Sequence, residues 1–406
     1  MALRDRLAAL RRQSGAQLGE PALTSESSLA ERIRRLRPGA DRSQPLAARS
    51  EAQLARSLGG QMLAPGLVLI ETSLGLQERH GRRPLHWLTE PPGDLPEARG
   101  LDPTGLLYLD TETTGLAGGT GTLVFLLGMA RLEAGRLRLS QYLLTRLAGE
   151  AAMLEQGAAR LEQASALVTY NGRSFDGPLL SARFRLAGIA DRLEGRAHLD
   201  LLPPVRRAFS APWPDCRLAT AEQRLLGLRR SGDLPGALAP QAWLAFLRQG
   251  NPDMLSGVVR HNRWDLLSLA LLLPALDRAY RDPAAWGADL HAAARSYLRD
   301  GREDLALQML DRHQARLDPL GLLTLARLLK RQGRWEQAAA IWVRVAASGS
   351  SAASEQLAKY HEHVRRSYRD ALECTARLPP GPERQRRQER LRHKLAATLC
   401  RPVRQR

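Results

Sequence analysis

Three short stretches of this 406-residue chain carry side chains whose types and spacing could do chemistry. Asp110 and Glu112 stand two apart at the end of the apolar run LLYLD (106–110). Residues two apart in a strand face the same side, so both carboxylates converge at the strand's end. Clustered carboxylate oxygens are the ligands a hard divalent cation requires. The second stretch, YNGRSFDGPLL (170–180), brings Asp176 in after an Asn-Gly turn with Phe175 beside it. Taken alone, Asp176 has a second, lesser reading as a helix N-cap. The third, HNRWD (261–265), sets His261 and Asp265 four apart on one helical face. That spacing lets the aspartate bind a cation while the histidine reaches an attacking water.

The elements that must hold these residues follow from the patterning. LLYLD is a strand, TETTGLAGGTG (111–121) a glycine-rich turn, and TLVFLLGMARL (122–132) and LRLSQYLL (137–144) are two strands joined by EAGR. A helix is expected over 149–164, with Leu154 and Leu161 on one face. ALVTY (166–170) and HLDLL (198–202) are further strands, and Pro178 suits the first turn of the helix between them. From Pro203 to Tyr280 the pattern is helical, interrupted at SGDLPG (231–236). Three strands, then alternating helix and strand, then helices, describe an α/β fold built on a mixed sheet with flanking helices.

Residues 1–100 read as a basic, loosely structured region: an amphipathic start on Leu3, Leu7 and Leu10, one short strand in GLVLIETS (66–73), and PPGDLPEARG (91–100) as a linker. Beyond residue 284 an internal repeat appears. YLRDGREDLAL (297–307), LLKRQGRWEQAA (328–339) and HVRRSYRDAL (363–372) align on Ala306, Ala338 and Ala371, with spacings of 32 and 33 residues. A small residue at the helix crossing after a glycine turn resembles tetratricopeptide repeats, although the third copy has Ser367 near the glycine position. The expected organisation is an N-terminal region (1–100), an α/β domain (101–280), an all-α tetratricopeptide-like domain (284–376) and a basic tail (377–406).

In order along the chain, D-x-E, N-x-x-F-D and H-x-x-x-D resemble the three exonuclease motifs of the DEDD superfamily of 3′-to-5′ exonucleases. The chain resembles more closely the YprB-like ribonuclease H-like family, through LDTETTGL, YNGRSFDGPLL, HLDLLPPVRR, SGDLPG and HNRWDLLSLA. That resemblance implies a ribonuclease H fold and hydrolysis of a phosphodiester at a nucleic-acid 3′ end. It further implies two divalent cations, Mg²⁺ or Mn²⁺, held by Asp110, Glu112, Asp176 and Asp265, with His261 acting on the nucleophilic water. Superfamily members with a histidine place it five residues before the last aspartate, and those with a tyrosine four before. Here Arg260 stands at the first position and His261 at the second. Thr113, Gly115 and Phe175 are candidate contacts to the terminal nucleotide. Asp200 reads as a strand-end aspartate satisfied by backbone amides, Asn171 as a turn residue and Trp264 as core.

Composition bounds the rest. Sixty basic against 42 acidic residues give a net charge of +18, and all but Lys330, Lys359 and Lys394 of the basic residues are arginine. Codon bias accounts for part of that skew; a polyanionic partner is the other reading. Most of the surplus falls after residue 281, densest in PERQRRQERLRHK (382–394), so the C-terminal region is the expected electrostatic grip on nucleic acid. Three scattered cysteines, Cys216, Cys374 and Cys400, exclude a disulfide scaffold and suit a reducing cytoplasm. No run is long and apolar enough to span a bilayer. The expected function is a metal-dependent nuclease, a 3′-to-5′ exonuclease acting on single strands of DNA or RNA, with the repeats as a candidate surface for a protein partner. The alternatives are a nucleic-acid- or protein-binding scaffold with a vestigial nuclease fold, or a structure-specific endonuclease.

Overall fold

A computed structural model describes residues 51–115 and 121–399 of the chain. All of them belong to the second of its two units, 47–406. The amphipathic start, part of the glycine-rich turn and Cys400 lie outside the described residues.

The central feature is a seven-stranded mixed sheet. Its strands are β1 (Gln61–Ala64), β2 (Leu67–Gly75), β5 (Leu106–Thr113), β6 (Val124–Glu133), β7 (Arg136–Leu144), β8 (Ala166–Thr169) and β9 (Ala197–Asp200), in the order β1-β2-β7-β6-β5-β8-β9. β5 pairs antiparallel with β6 and parallel with β8, so it lies where the two halves of the sheet meet. β6 and β7 are joined through Ala134 and Gly135, both with positive φ, the two-residue turn whose twist matches that of the flanking strands. A two-stranded ribbon, β3 (Arg79–His80) and β4 (Arg83–Pro84), stands apart from the sheet.

Alternation along β5 decides where the chemistry can emerge. Leu107 and Leu109 enter one hydrophobic cluster, with Phe125, Leu127 and Met129. Leu106 and Tyr108 enter the other, with Ala130. Asp110 and Glu112 continue the parity of Leu106 and Tyr108, and Asp110 meets the long helix α6 (Leu255–Arg281) through Asn262. Around the sheet lie α1 (Glu51–Ser57), α2 (Glu150–Glu162), α3 (Asp176–Leu186), α4 (Leu202–Phe209) and α5 (Ala239–Gln249).

The N-terminal part differs from expectation. The strand expected in 66–73 forms as β2, but it is not an isolated piece of a loose region: it pairs with β7 along its whole length, from Leu67↔Leu144 to Gly75↔Arg136. Nor is 91–100 a linker. Leu95 and Ala98 are fully buried, and the Asp277 carboxylate of α6 accepts the backbone N–H groups of Asp94 and Leu95 at 2.7 and 2.8 Å. Prolines break regular structure there, yet a buried carboxylate supplies the acceptors that a helix or sheet would have provided.

After α6 the chain forms helix pairs: α7 (Leu290–Arg299) with α8 (Glu303–Arg312), α9 (Pro319–Arg331) with α10 (Trp335–Ala347), and α11 (Ser351–Tyr360) with α12 (Tyr368–Ala376). Ala306, Ala338 and Ala371 are each fully buried at equivalent places. Gly301 and Gly333 turn the first two copies through positive φ, and Arg366 adopts the same conformation in the third. One continuous buried cluster runs from the sheet through α6 to Tyr360.

Most of the expected basic tail is a helix, α13 (Pro382–Leu399), packed back on α11 and α12. Arg390 and Lys394 reach the buried Glu362 at 2.9 and 2.8 Å, and Arg387 reaches Glu355 at 3.2 Å. Burial works against an ionised Glu362, but these hydrogen bonds outweigh it and bring its carboxyl down to about 2. Much of the charge density in 382–394 is thus spent within the fold. Among the described residues no helix is long and apolar enough to cross a membrane.

Candidate active site

β5 and α6 supply the centre of the site. Glu112, His261 and Asp265 offer ligand atoms that all lie within 4.8 Å of one another. His261 Nε2 is 3.3 Å from Asp265 Oδ2 and 4.0 Å from Glu112 Oε1. The i, i+4 spacing and the strand parity therefore bring together three of the expected residues. Asp110 and Asp176 stand outside that group but act on its carboxylates electrostatically. Burial raises the Asp110 carboxyl well above its ordinary range, and the charges of Asp265, Asp176 and Glu112 push it further. Burial, then Asp265, Asp176 and Asp233, push Glu112 up to about 8. Asp176 is raised by burial to about 6 against the opposing hydrogen bond from Thr111. Burial also raises Asp265, opposed by His261 and Arg230.

Each carboxylate is fixed by a neighbour. Thr111 Oγ1 donates to Asp176 Oδ1 at 2.5 Å, so the residue between the two β5 carboxylates orients the third. Asn262 Nδ2 donates to Asp110 Oδ2 at 2.8 Å, and Gln141 Nε2 donates to Asn262 Oδ1 at 2.8 Å. Asp110, Gly128 and Gln141 are register partners across β5, β6 and β7. Gly128 leaves the space into which Asn262 descends: a Cβ there would lie 2.2 Å from Asn262 Oδ1. Gly128→Ala should therefore cost roughly 1–3 kcal/mol of stability and release Asp110, read as a lower Tm together with lost activity.

The arginine and aspartate around the histidine were not marked out as site residues by their sequence. Arg230 donates to Asp265 Oδ1 at 2.5 Å, to Asp233 Oδ2 at 3.0 Å and to both oxygens of the buried Glu222. Burial disfavours its charge, but Asp265 and Glu222 outweigh that and hold the guanidinium above its ordinary pKa. Asp233 Oδ2 also lies 2.8 Å from His261 Nδ1, whereas Arg230 is 3.4 Å from that nitrogen. The shorter contact is to an acceptor: Nδ1–H donates to Asp233, which leaves Nε2 directed at Glu112 and Asp265. The only local signal for this pair was the break in helical pattern at SGDLPG.

The remaining expected contacts are less engaged. Thr113 Oγ1 donates to the Gly115 carbonyl at 3.0 Å, just beyond the carboxylates. Phe175 precedes α3 and is 49% exposed, so about half of the side chain is open to solvent. Asp200 accepts the backbone N–H groups of Asn171, Arg173 and Leu202, and Asn171 takes φ 68° in the turn. Trp264 is half-buried at the edge of the core, with the Arg230 and Arg260 guanidinium groups 5.7 and 5.5 Å from its ring.

The donor set fits hard divalent cations. Four carboxylates of one sign are crowded out of water, and Asp233 Oδ1 is buried with no hydrogen-bond partner among the described residues. Like charges in such proximity need a cation or retained protons.

A model of the RNase_H superfamily matches residues 107–276. YprB of Bacillus subtilis (strain 168) is 35% identical over 295 residues, which cover 68% of this chain and 69% of YprB. Among solved structures, the family B DNA polymerase from the hyperthermophilic archaeon Pyrobaculum calidifontis aligns at 14% identity with a TM-score of 0.35. That alignment covers 56% of this chain and 29% of the polymerase chain, too slight a likeness to speak to chemistry.

Proposed function

Because the chain belongs to the YprB family and carries an RNase_H superfamily domain, we propose that it is a metal-dependent nuclease, a 3′-to-5′ exonuclease on single strands of DNA or RNA. The observation that carries this reading is the convergence of Glu112, His261 and Asp265 beside the buried Asp110 and Asp176. Two divalent cations, Mg²⁺ or Mn²⁺, held by Asp110, Glu112, Asp176 and Asp265, would activate water and stabilise charge on the scissile phosphate and leaving oxygen.

The chain's own residues do the rest. His261 presents Nε2 toward the carboxylates, placed to accept a proton from the nucleophilic water. Asp233 holds the ring in that orientation and stabilises the imidazolium that forms. Arg230 stops Glu222, Asp233 and Asp265 from repelling one another. Asn262 and Thr111 keep Asp110 and Asp176 aimed at the site. Thr113, Gly115 and Phe175 flank it where a terminal nucleotide would lie.

Asp233→Asn should lower kcat roughly 10–100-fold with little change in KM, because it alters the base and not the strand's footing; steady-state kinetics separate the two. The reading as a whole is tested with labelled linear and circular single strands of DNA and RNA in Mg²⁺, Mn²⁺ or EDTA. A ladder shortening from the 3′ end, abolished by EDTA, is expected. Cleavage of the circle would replace the exonuclease with an endonuclease, and no cleavage of any substrate would favour a scaffold.

A further inference from the structure

We infer that the β3–β4 ribbon is a docking site for the phosphate backbone of the nucleic-acid strand that enters the carboxylate cluster; the inference rests on the nuclease reading above. Arg79 and Arg82 are exposed on this ribbon and Arg83 is half-buried. Arg79 donates to the Arg82 carbonyl and Arg83 to the Leu225 carbonyl. Among the described residues, none of the three pairs with a carboxylate. The Arg83 guanidinium lies 5.3 Å from the Trp87 ring and 4.5 Å from the Trp286 ring. Burial lowers its pKa, and the charges of Arg82, Arg278 and Arg79 lower it further, the mark of like charges held close together.

The ribbon is anchored to α6 and to the segment that carries Glu222, the partner of Arg230. Arg82 N–H donates to the Leu226 carbonyl at 2.7 Å, and Gly81 sits so close that a Cβ would lie 2.6 Å from the same oxygen. His80 is buried, with Nε2 2.7 Å from Ser268 Oγ on α6, one turn beyond Asp265. After burial, the charge of Arg230 is the next influence holding the His80 imidazole down to about 4, so the ribbon lies within electrostatic reach of the group that grips Asp265.

Concentrated positive charge without carboxylate partners costs folding stability and is neutralised well by phosphates. On α13 three of the six basic residues in 382–394, Arg387, Arg390 and Lys394, are already paired with Glu355 and Glu362, whereas among the described residues none of the three ribbon arginines is. A strand lying across the ribbon would lead from Arg79 and Arg82 toward the cluster that holds Arg230.

The test is the binding of a 5′-fluorescein single-stranded oligonucleotide to the full chain by anisotropy, in EDTA, across a salt series. Arg79→Ala/Arg82→Ala should weaken binding about tenfold and reduce the slope of log K against log salt by about 1.4, roughly 0.7 per lost phosphate contact. Arg79→Lys/Arg82→Lys should restore most of the affinity, and Arg384→Ala/Arg392→Ala on α13 should bind as wild type does. Unchanged binding and slope in the alanine pair would overturn the inference while leaving the nuclease reading intact. Weaker binding with an unchanged slope, or no recovery in the lysine pair, would also overturn it, because the loss would then be structural. Wild-type protein that binds no strand would overturn both.

Discussion

Asp110→Asn should lower activity by roughly 10³-fold or more, about 4 kcal/mol of barrier, and at the same time raise the Tm of the metal-free protein. Both effects come from one geometry. Asp110 is buried beside Asp265, Asp176 and Glu112, and their charges lift its carboxyl far above the ordinary range. An asparagine keeps an oxygen to accept from Asn262 Nδ2 but removes a carboxyl that must either hold its proton or add a charge to a crowded, desolvated place. The site would then hold cations poorly and the fold would carry less repulsion, a gain in stability at the expense of function. The check is nuclease rate and thermal melting on the same preparation. Near-wild-type activity, or a lower Tm in EDTA, would contradict the account.

The second large effect is on pH. Glu112 rises from an ordinary 4.5 to about 8, and Asp176 from 3.8 to about 6. A raised carboxyl keeps its proton in the folded state after the unfolded chain has lost it. Folded protein therefore binds more protons across this window, and stability falls as pH rises. These groups cost nothing below about pH 4, and their destabilisation accumulates up to about pH 8. Glu362 has the opposite sign: its carboxyl is brought down to about 2, so its contribution is present above 4.5 and is lost as pH falls toward 2. The metal-free Tm should thus drop between pH 5 and pH 8. Mn²⁺ or Mg²⁺ should restore it, with the larger rise at pH 8, where the ligands are more fully ionised. Asp110→Asn should flatten both trends. A flat metal-free profile with equal cation shifts at both pH values would mean that the carboxylates are not a repelling cluster.

Much of the candidate site was legible in the sequence because its spacings are local. Two residues apart on a strand and four apart on a helix are geometric statements that hold in any fold. They bring Asp110 with Glu112 and His261 with Asp265 before any tertiary contact is known. The strands from Leu106 to Asp200 were legible for the same reason, since alternation and turn residues are written locally.

What the tertiary structure decided is of longer range. Gln141, Gly128 and Asn262 form one column only because three strands are in register and a helix crosses above them; none has a type or spacing that marks it. Arg230 and Asp233 sit in an irregular segment, where no periodicity assigns a direction to a side chain. The strand in GLVLIETS was locally legible, but its place in the central sheet was not, because that depends on the antiparallel edge that β7 offers β2. Charge shows the division most plainly. The sequence determines the net +18 and its concentration after residue 281. Only the fold decides which basic residues are paired with carboxylates, as Arg387, Arg390 and Lys394 are on α13, and which are not, as on the β3–β4 ribbon. A salt bridge depends on distance in space, and composition carries none.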